Sequence, residues 1–185
     1  MEAISGVETS TTASLQELCQ SVASEIGKGS FEEVSEIKGV IECDQPIESE
    51  IGKQSCVYYS MSVTREWEEE YTERNQETGQ DERKIRKGSD TVSSNTRSTP
   101  FKVRDDTGTL SVNPNDANID GEQIVDRFEP QESISGSTVS FGSFSFSLGG
   151  VSSTGGRRTL GYRFNETILP LNRNVYVLGV ASDSS

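Results

Sequence analysis

Alternation of apolar and polar residues divides much of the chain into short segments with the two-residue period of β-strands. The clearest segment runs from Val57 to Thr64, where larger apolar residues alternate with tyrosine, serine and threonine. Similar alternation occurs from Ile37 to Cys43, from Phe101 to Val112, from Leu160 to Phe164 and from Val175 to Ala181. The pattern predicts a mainly β fold in which one face of each strand is buried.

The inward positions of this pattern give a list of expected core residues. They are Val57, Tyr59, Met61, Val63, Phe101, Val103, Leu110, Val112, Val175 and Val177. Their neighbours on the opposite face of each strand are expected to contact solvent.

One segment near the N-terminus has the period of an α-helix instead. The residues on one face of this helix are Leu15, Leu18, Cys19, Val22 and Ile26. Ser14 and Glu17 have the spacing of a capping box, so we expect the helix to begin at Ser14 and to end before Gly27. Residues 119–128 show no clear period and predict a short helical or irregular segment.

The length of 185 residues allows one domain with a substantial core, although only 31 % of the residues are hydrophobic. We predict a disordered segment at residues 1–13 and a single domain at 14–182, with a flexible insertion at 131–158 and a disordered end at 183–185. No stretch is apolar enough to span a bilayer, so we expect this chain to be soluble, and its polar ends predict an excised domain.

Charge and composition argue against several kinds of function. The net charge of −13 opposes binding to a phosphate backbone, so nucleic acid is not an expected partner. The chain has no histidine, which removes Ser-His and Cys-His nucleophile pairs and imidazole metal ligands. Cys19, Cys43 and Cys56 lack the spacing of a zinc site. We therefore expect no metal, no cofactor and no catalytic residue.

The tripeptide Asp106-Thr107-Gly108 matches the motif that carries the catalytic carboxylate of aspartic peptidases. A catalytic loop of this kind would need a second carboxylate to share a proton. Here the tripeptide lies between two alternating segments, which predicts a hairpin turn with Asp106 at its corner. An aspartic-type peptidase that uses Asp106 remains the alternative.

A strongly charged segment follows the Val57 strand. The acidic part contains Trp67, Glu68, Glu69 and Glu70, and the basic part contains Arg83, Lys84, Arg86 and Lys87. Their separation predicts a hairpin with ion pairs across its two strands. The hairpin is either a solvated excursion or a docking surface for a partner.

Residues 131–158 are rich in serine and glycine but contain several large apolar side chains. The apolar residues are Phe141, Phe144, Phe146 and Leu148, and Arg157 and Arg158 follow them. One interpretation is a strand or flap that packs on the remainder of the fold. The other is a mobile loop that touches a membrane surface or a protein partner, with the two arginines assisting.

The set of strands predicts a small β-barrel similar to an OB-fold, with one N-terminal helix. Five stretches narrow this further, namely Ile37 to Ile41, Ser55 to Met61, Asn95 to Phe101, Val125 to Phe128 and Arg158 to Arg163. In this order they resemble the GIDE domain, also called the BAM ("beside a membrane") domain, over about Leu15 to Ala181. That domain occurs in mitochondrial and chloroplast membrane ubiquitin ligases and in bacterial membrane proteins that lack a RING finger.

The resemblance implies a non-catalytic recognition domain in a membrane-anchored protein, tethered by helices outside this chain. The partner would be a protein or a ligand close to the lipid surface, and we expect the isolated domain to be monomeric. Ligase activity in this family belongs to a RING finger, whose two zinc ions need more cysteine and histidine ligands than this chain contains. Single-stranded nucleic-acid binding through an OB-like face is a further alternative, which the net charge disfavours.

Overall fold

The computed structural model describes residues 8–134, 136, 138–141, 144–147 and 156–183. Its helices are α1 (Thr12–Glu25) and a short 3-10 helix (Gln131–Ser133). The strands are β1 (Thr9–Ser10), β2 (Glu32–Glu42), β3 (Ile47–Glu48), β4 (Ser55–Arg74), β5 (Asp81–Ser98), β6 (Phe101–Arg104), β7 (Thr109–Val112), β8 (Glu122–Pro130), β9 (Thr138–Phe141), β10 (Phe144–Ser147), β11 (Arg157–Pro170) and β12 (Asn174–Ser182). The predicted mainly β fold with one N-terminal α-helix is confirmed, and its sheet curls into a half-barrel.

Most strands belong to one of two five-stranded sheets. In the first sheet β2 is central, with β12 along one side and β6 and the short parallel strand β1 along the other. β7 extends this sheet by pairing with β6. The second sheet has the order β5, β4, β11, β8, and β3 pairs with the start of β4. β9 and β10 form a separate hairpin.

The core has two parts that meet where the sheets adjoin. One part is formed by β4, β8, β11 and the β9–β10 hairpin, and includes Met61, Val63 and Phe164. The other lies between α1 and the first sheet, and it also contains Val57 from β4 and Leu169 from β11. These two residues of the second sheet therefore share a core with residues of the first sheet.

The expected core residues fall into two groups. Six are buried, namely Val57, Tyr59, Met61, Val63, Phe101 and Val103, as predicted. The other four pack against the same core but are only partly buried, namely Leu110, Val112, Val175 and Val177. These four lie in β7 and β12, which pair with a neighbour along one edge and therefore have less cover from adjacent strands.

The helix and the folded domain both begin earlier in the chain than the sequence predicts. Helix α1 begins at Thr12, because Thr11 is the N-cap and forms a capping box with Ser14 in place of the predicted pair Ser14 and Glu17. β1 precedes the helix and pairs with β2, so residues 9–13 are part of the fold and not a disordered segment. At the other end, Asp183 accepts hydrogen bonds from the backbone of Gly29 and Phe31.

Two further segments differ from the sequence-based expectations. The predicted helical or irregular segment before Phe128 is strand β8, because it pairs along β11 from Gly161 to Ile168. Strand pairing here overrides a sequence with no clear period. Within the predicted flexible insertion, the described residues form the 3-10 helix, β9, β10 and the start of β11.

Candidate functional site

A two-stranded arm projects from the second sheet. β11 pairs with β4 only as far as Glu69, so residues 70–74 of β4 pair with β5 alone among the described residues. We call residues 70–85 the arm. All of them are exposed except Asn75, whose backbone pairs with Gln80 to close the turn. Tyr71 and Ile85 expose 38 % and 61 % of their surface, which leaves two large apolar side chains in contact with solvent.

A cluster of four residues holds the base of the arm on the side of β4 that faces the core. We call this cluster the root, and its residues are Trp67, Glu69, Arg86 and Arg157. The guanidinium of Arg157 lies 4.0 Å from the centroid of the Trp67 ring, which is buried. The Oε2 atom of Glu69 accepts a hydrogen bond from Nε of Arg86 at 2.6 Å. The same oxygen lies 3.6 Å from Nε of Arg157. The root therefore combines cation–π stacking with two ion pairs to one carboxylate.

Gly88 lies opposite Trp67 across the β4–β5 pair. A β-carbon at position 88 would overlap the six-membered part of the indole ring. The missing side chain therefore makes room for Trp67 to lie flat against β5, which fixes the position of the arm relative to the sheet.

The outer face of the same strands carries a second set of ion pairs. Arg158 pairs with Glu68 at 3.0 Å, and Arg163 donates to both Glu66 and Asp126. The hydrogen bonds to Glu66 and Asp126 raise the pKa of Arg163 above its ordinary value. Close to these pairs lies a shallow depression of about 430 Å³, lined by Thr64, Glu66, Trp67, Lys87, Gly88, Ser89, Leu160 and Arg163.

The predicted docking residues are distributed between the root, the outer face and the arm. Trp67, Glu69 and Arg86 belong to the root, and Glu68 and Lys87 lie opposite each other on the outer face. Glu70, Arg83 and Lys84 are on the exposed arm, where Lys84 pairs with Glu73. The predicted cross-strand ion pairing is therefore present.

The structure also brings Arg157 and Arg158 to this hairpin. Their place in the sequence groups these arginines with the phenylalanine-rich segment, but they pair with Glu69 and Glu68 at the start of β11. They are separated from their partners by nearly ninety residues, so no local spacing indicates the contact. Only the antiparallel register of β4 and β11 places both arginines beside the acidic strand.

The phenylalanine-rich segment forms the β9–β10 hairpin. Phe144 is buried, with its ring 6.3 Å from that of Phe164 in an edge-to-face arrangement, and Phe146 packs partly buried against the same core. These positions fit the interpretation of a strand that packs on the fold. The backbone of Phe141 pairs with Phe144, whereas Leu148 lies outside the described residues.

Comparison with protein families gives a match over most of the second sheet and the end of the chain. The sequence model of the GIDE family, described as E3 Ubiquitin ligase, matches residues 68–185. The chain belongs to the GIDE family. The match begins in β4 at Glu68, so it covers the arm, β11 and β12 but not α1 or the first half of β4. No curated protein and no solved structure matches the chain.

In this GIDE chain the Asp-Thr-Gly tripeptide forms the β6–β7 turn, as the sequence predicted. Asp106 is exposed at the corner, while the neighbouring Asp105 organises the turn and the start of α1. The carboxylate of Asp105 accepts hydrogen bonds from the backbone amides of Thr12, Thr107 and Gly108 at 2.7–2.9 Å. A β-carbon at position 108 would lie 3.0 Å from the Thr12 hydroxyl, so glycine lets the turn approach α1 closely.

Desolvation raises the pKa of Asp105, but its hydrogen bonds from Thr12 and Thr107 outweigh that effect and hold the pKa well below the usual range. This carboxylate therefore stays ionised at neutral pH. Its hydrogen bonds from backbone amides show a structural role, which no local sequence pattern indicates because Thr12 is far from Asp105 in the chain.

A second structural carboxylate is Glu166, which is fully buried on the inner face of β11. It accepts hydrogen bonds from the Ser49 hydroxyl and from the amides of Ile51 and Gly52 at 2.7–3.0 Å. These bonds hold the loop between β3 and β4 in place. The alternation of Tyr162, Phe164 and Ile168 already places residue 166 on the inward face, so the sequence contained a signal for this buried charge.

Where the GIDE domain is described, its cysteines and acidic residues do not gather into a metal site. Among the described residues no three histidine, cysteine or carboxylate side chains are arranged to hold a metal ion. Cys19, Cys43 and Cys56 are free, and burial next to the charge of Glu166 raises the pKa of the Cys56 thiol to about 11. Within the same residues, no helix has the length and apolarity needed to cross a membrane.

Proposed function

We propose that this chain is a non-catalytic recognition domain of a membrane-anchored protein related to ubiquitin ligases, and that the arm binds a protein partner. Membership of the GIDE family supports the relation to ligases. The observation that carries the recognition role is the arm itself, a charged ribbon that extends beyond the sheet and is exposed on both faces.

The composition of the chain argues against ligase chemistry within it. A RING finger holds two zinc ions, each with four cysteine or histidine ligands, whereas this sequence has three cysteines and no histidine. A thioester mechanism would need an accessible thiolate. Cys56 does not fit that requirement, because it is buried and its pKa is raised to about 11.

The arm has the features of a protein-binding element. A two-stranded ribbon in water is only marginally stable, so residues 70–85 depend on the root for a fixed direction. The side chain of Ile85 is exposed and can serve as an apolar anchor. The ring of Tyr71 is also exposed, and the guanidinium of Arg86 lies 5.6 Å from its centroid. The charges of the arm select a partner and speed its association more than they add affinity.

Charge also favours a protein over a lipid surface as the partner. A net charge of −13 opposes approach to anionic lipid. The basic residues Lys84 and Arg86 are engaged with Glu73 and Glu69, which reduces their availability for lipid headgroups. We therefore expect that the arm recognises a protein surface with mixed charges.

Deletion of the arm tests this function. Glu69 and Arg86 face each other, so residues 70–85 can be replaced by Asn-Gly, which favours a two-residue hairpin turn. The shortened protein is expected to melt within a few degrees of the wild type, because the removed residues other than Asn75 are exposed and, among the described residues, form strand pairs only with each other. Association with the partner in native membranes should be lost.

A photoreactive amino acid at position 85 in the membrane-embedded full-length protein identifies the contact directly. The matched control places it at Ile26, which is 73 % exposed at the end of α1. Cross-linking of the same protein from position 85 but not from position 26 is expected, and it should disappear on competition with excess isolated wild-type domain. Equal cross-linking from both positions, or unchanged partner association after arm deletion, contradicts the proposal.

Two further measurements test the remaining parts of the proposal. The purified chain should not accelerate release of ubiquitin from a loaded conjugating enzyme, and acceleration would show that the chain is catalytic. The gene should encode apolar membrane-spanning segments beside this domain. Their absence would remove the case for membrane anchoring.

A further inference from the structure

Strand β5 is an edge strand of the second sheet, both in the arm and at its base. It pairs with β4 from Asp81 opposite Arg74 to Ser98 opposite Tyr58. Among the described residues, no other strand pairs with β5, and no backbone hydrogen bond reaches residues 83–87 from the second side of the strand. The peptide groups on that side can therefore pair with an added strand.

The outward side chains of this part of β5 form a stripe that is basic at both ends and apolar in the middle. Gly88 lies opposite the buried Trp67, on the side of the core. Strand alternation therefore turns Lys87, Ile85 and Arg83 to the outer face. We call these three residues the β5 stripe, and all three are exposed.

The two cations of the β5 stripe differ from those on the other face of the same strand. On that other face, Lys84 pairs with Glu73 of β4. In contrast, neither Arg83 nor Lys87 has an ion pair or a hydrogen bond to a side chain in the described part of the chain. Two unpaired positive charges thus flank an exposed apolar side chain at an open strand edge, which is a site for an acidic ligand.

We propose that the second side of β5 binds an extended acidic segment of a protein partner as an added β-strand, an inference that rests on the proposed role of the arm in protein binding. The residues of the segment that face the β5 stripe are acidic, apolar and acidic at every second position. Opposite charges and apolar pairs across neighbouring strands are favourable. The pattern is the same in both directions, so it fits a parallel or an antiparallel strand. The segment is the part of the partner's mixed-charge surface that touches β5.

The spacing of strands explains how an acidic segment binds to a chain that is itself acidic. An added strand lies about 4.8 Å from β5 and about 10 Å from β4. Since the Debye length is about 8 Å at physiological ionic strength, carboxylates of the segment interact more strongly with the β5 stripe than with the glutamates of β4. Of these glutamates, Glu68 is already paired with Arg158, and Glu70 lies opposite Ile85.

The same charges select against a second copy of this strand. Antiparallel pairing of two β5 strands about Ile85 would place Arg83 opposite Lys87 of the partner subunit. Like charges directly opposite one another destabilise a sheet, and charged side chains on edge strands commonly prevent self-association in this way. An acidic segment turns the same two positions into attractive pairs.

Fluorescence polarisation with labelled peptides and the full 185-residue chain tests the acidic segment. The probes are Thr-Glu-Thr-Val-Thr-Glu-Thr and its analogues with isoleucine, leucine or phenylalanine at the centre, because threonine favours strands. At least one of these peptides should bind saturably. The same peptides with lysine in place of glutamate should not bind.

Reversal of the charges of the β5 stripe tests the position of the site. Arg83→Glu combined with Lys87→Glu should weaken binding of the glutamate peptides at least about fivefold and should allow the lysine peptides to bind. Both positions are exposed and unpaired, so this variant should fold. The matched control combines Lys28→Glu with Arg74→Glu, two exposed cations outside the stripe, and makes the same change in net charge. It should bind the glutamate peptides like the wild type.

Methylation of peptide amides tests whether the segment is added as a strand. Alternate residues of a strand direct their amides to opposite sides. Methylation of the set of alternate amides that faces β5 should abolish binding, whereas methylation of the other set should preserve it. Equal effects of the two sets overturn strand addition.

Cross-linking from position 85 in the membrane-embedded full-length protein separates this inference from the proposed function. Undiminished cross-linking after charge reversal at positions 83 and 87, with no peptide bound by the wild type, overturns the acidic segment but leaves the arm as a binding element. Equal weakening of peptide binding by the two double variants also overturns it. Absence of cross-linking from the wild-type protein, on the other hand, contradicts the proposed function itself.

Discussion

Replacement of Asp105 by alanine tests how the helix is attached to the sheets. The carboxylate accepts five hydrogen bonds, two from Thr12, two from Thr107 and one from Gly108. Thr12 is the first residue of α1 and is fully buried. Alanine at position 105 would leave the amide and the hydroxyl of Thr12 without this acceptor. The amides of Thr107 and Gly108 in the turn would lose the same acceptor.

The magnitude follows from the groups that lose their acceptor. Loss of a side-chain cap at a helix N-terminus costs about 1 kcal/mol, within a range of about 0.5–2. Each of the two amides of the turn adds about 1 kcal/mol. The free energy of unfolding should therefore fall by about 3 kcal/mol. For a chain of this size that corresponds to a melting temperature about 6–12 °C lower.

Thermal and urea unfolding, followed by circular dichroism at neutral pH, measure this change. Asp106→Ala is the matched control, because it removes the adjacent carboxylate from an exposed position and should change stability by less than about 0.5 kcal/mol. Equal melting temperatures for Asp105→Ala and the wild type would refute the reasoning. A loss as large for Asp106→Ala would show that charge in the turn, and not the hydrogen bonds of Asp105, is what matters.

The pH dependence of the free energy of unfolding, compared between the wild type and Asp105→Asn, gives an independent check. The pKa of Asp105 is lower in the folded state than the value of about 3.9 for an unfolded aspartate. Its contribution to stability is therefore complete above about pH 5 and is lost as the pH falls through 3.9 towards the folded pKa. The difference in free energy of unfolding between the wild type and Asp105→Asn should narrow over that range.

Three further predictions concern the second sheet. Glu166→Gln should lower the free energy of unfolding by about 2–4 kcal/mol in urea titrations, because its amide nitrogen cannot accept the buried hydrogen bonds of the carboxylate. Gly88→Ala should cost about 1–3 kcal/mol and shift the fluorescence of the single tryptophan, Trp67, since the added methyl overlaps its ring. A fragment of residues 68–185 should not fold, as judged by circular dichroism, because it lacks α1, β2 and residues 55–67 of β4, which pair with β5 and β11.

Short-range patterns in the sequence predicted most strands correctly. The two-residue period identified β2, β4, β11 and β12, since each of these strands has one face in the core. The Asp-Thr-Gly turn and the charged hairpin were also predictable, because a turn and its two flanking strands are adjacent in the chain.

Features that depend on distant residues could not be predicted in this way. The start of α1 was placed too late because Ser14 and Glu17 match the sequence rule for a capping box, whereas the box in the structure is formed by Thr11 with a serine, Ser14, at the third position. The hydrogen bond from the Thr12 amide to Asp105 also holds the helix start at this earlier position. Arg157 meets Trp67 only through the register of β11. Strand β8 has a weak period of its own and becomes a strand by pairing with β11.

The charge of the arm predicts how salt affects its binding. The arm carries glutamate, lysine and arginine side chains, so a partner bound there gains from electrostatic attraction that salt screens. Cross-linking from position 85 should therefore weaken as sodium chloride is raised from about 0.01 M to about 1 M, because the Debye length falls from about 30 Å to about 3 Å. Cross-linking that stays unchanged over this range would show that the charges of the arm do not take part in binding.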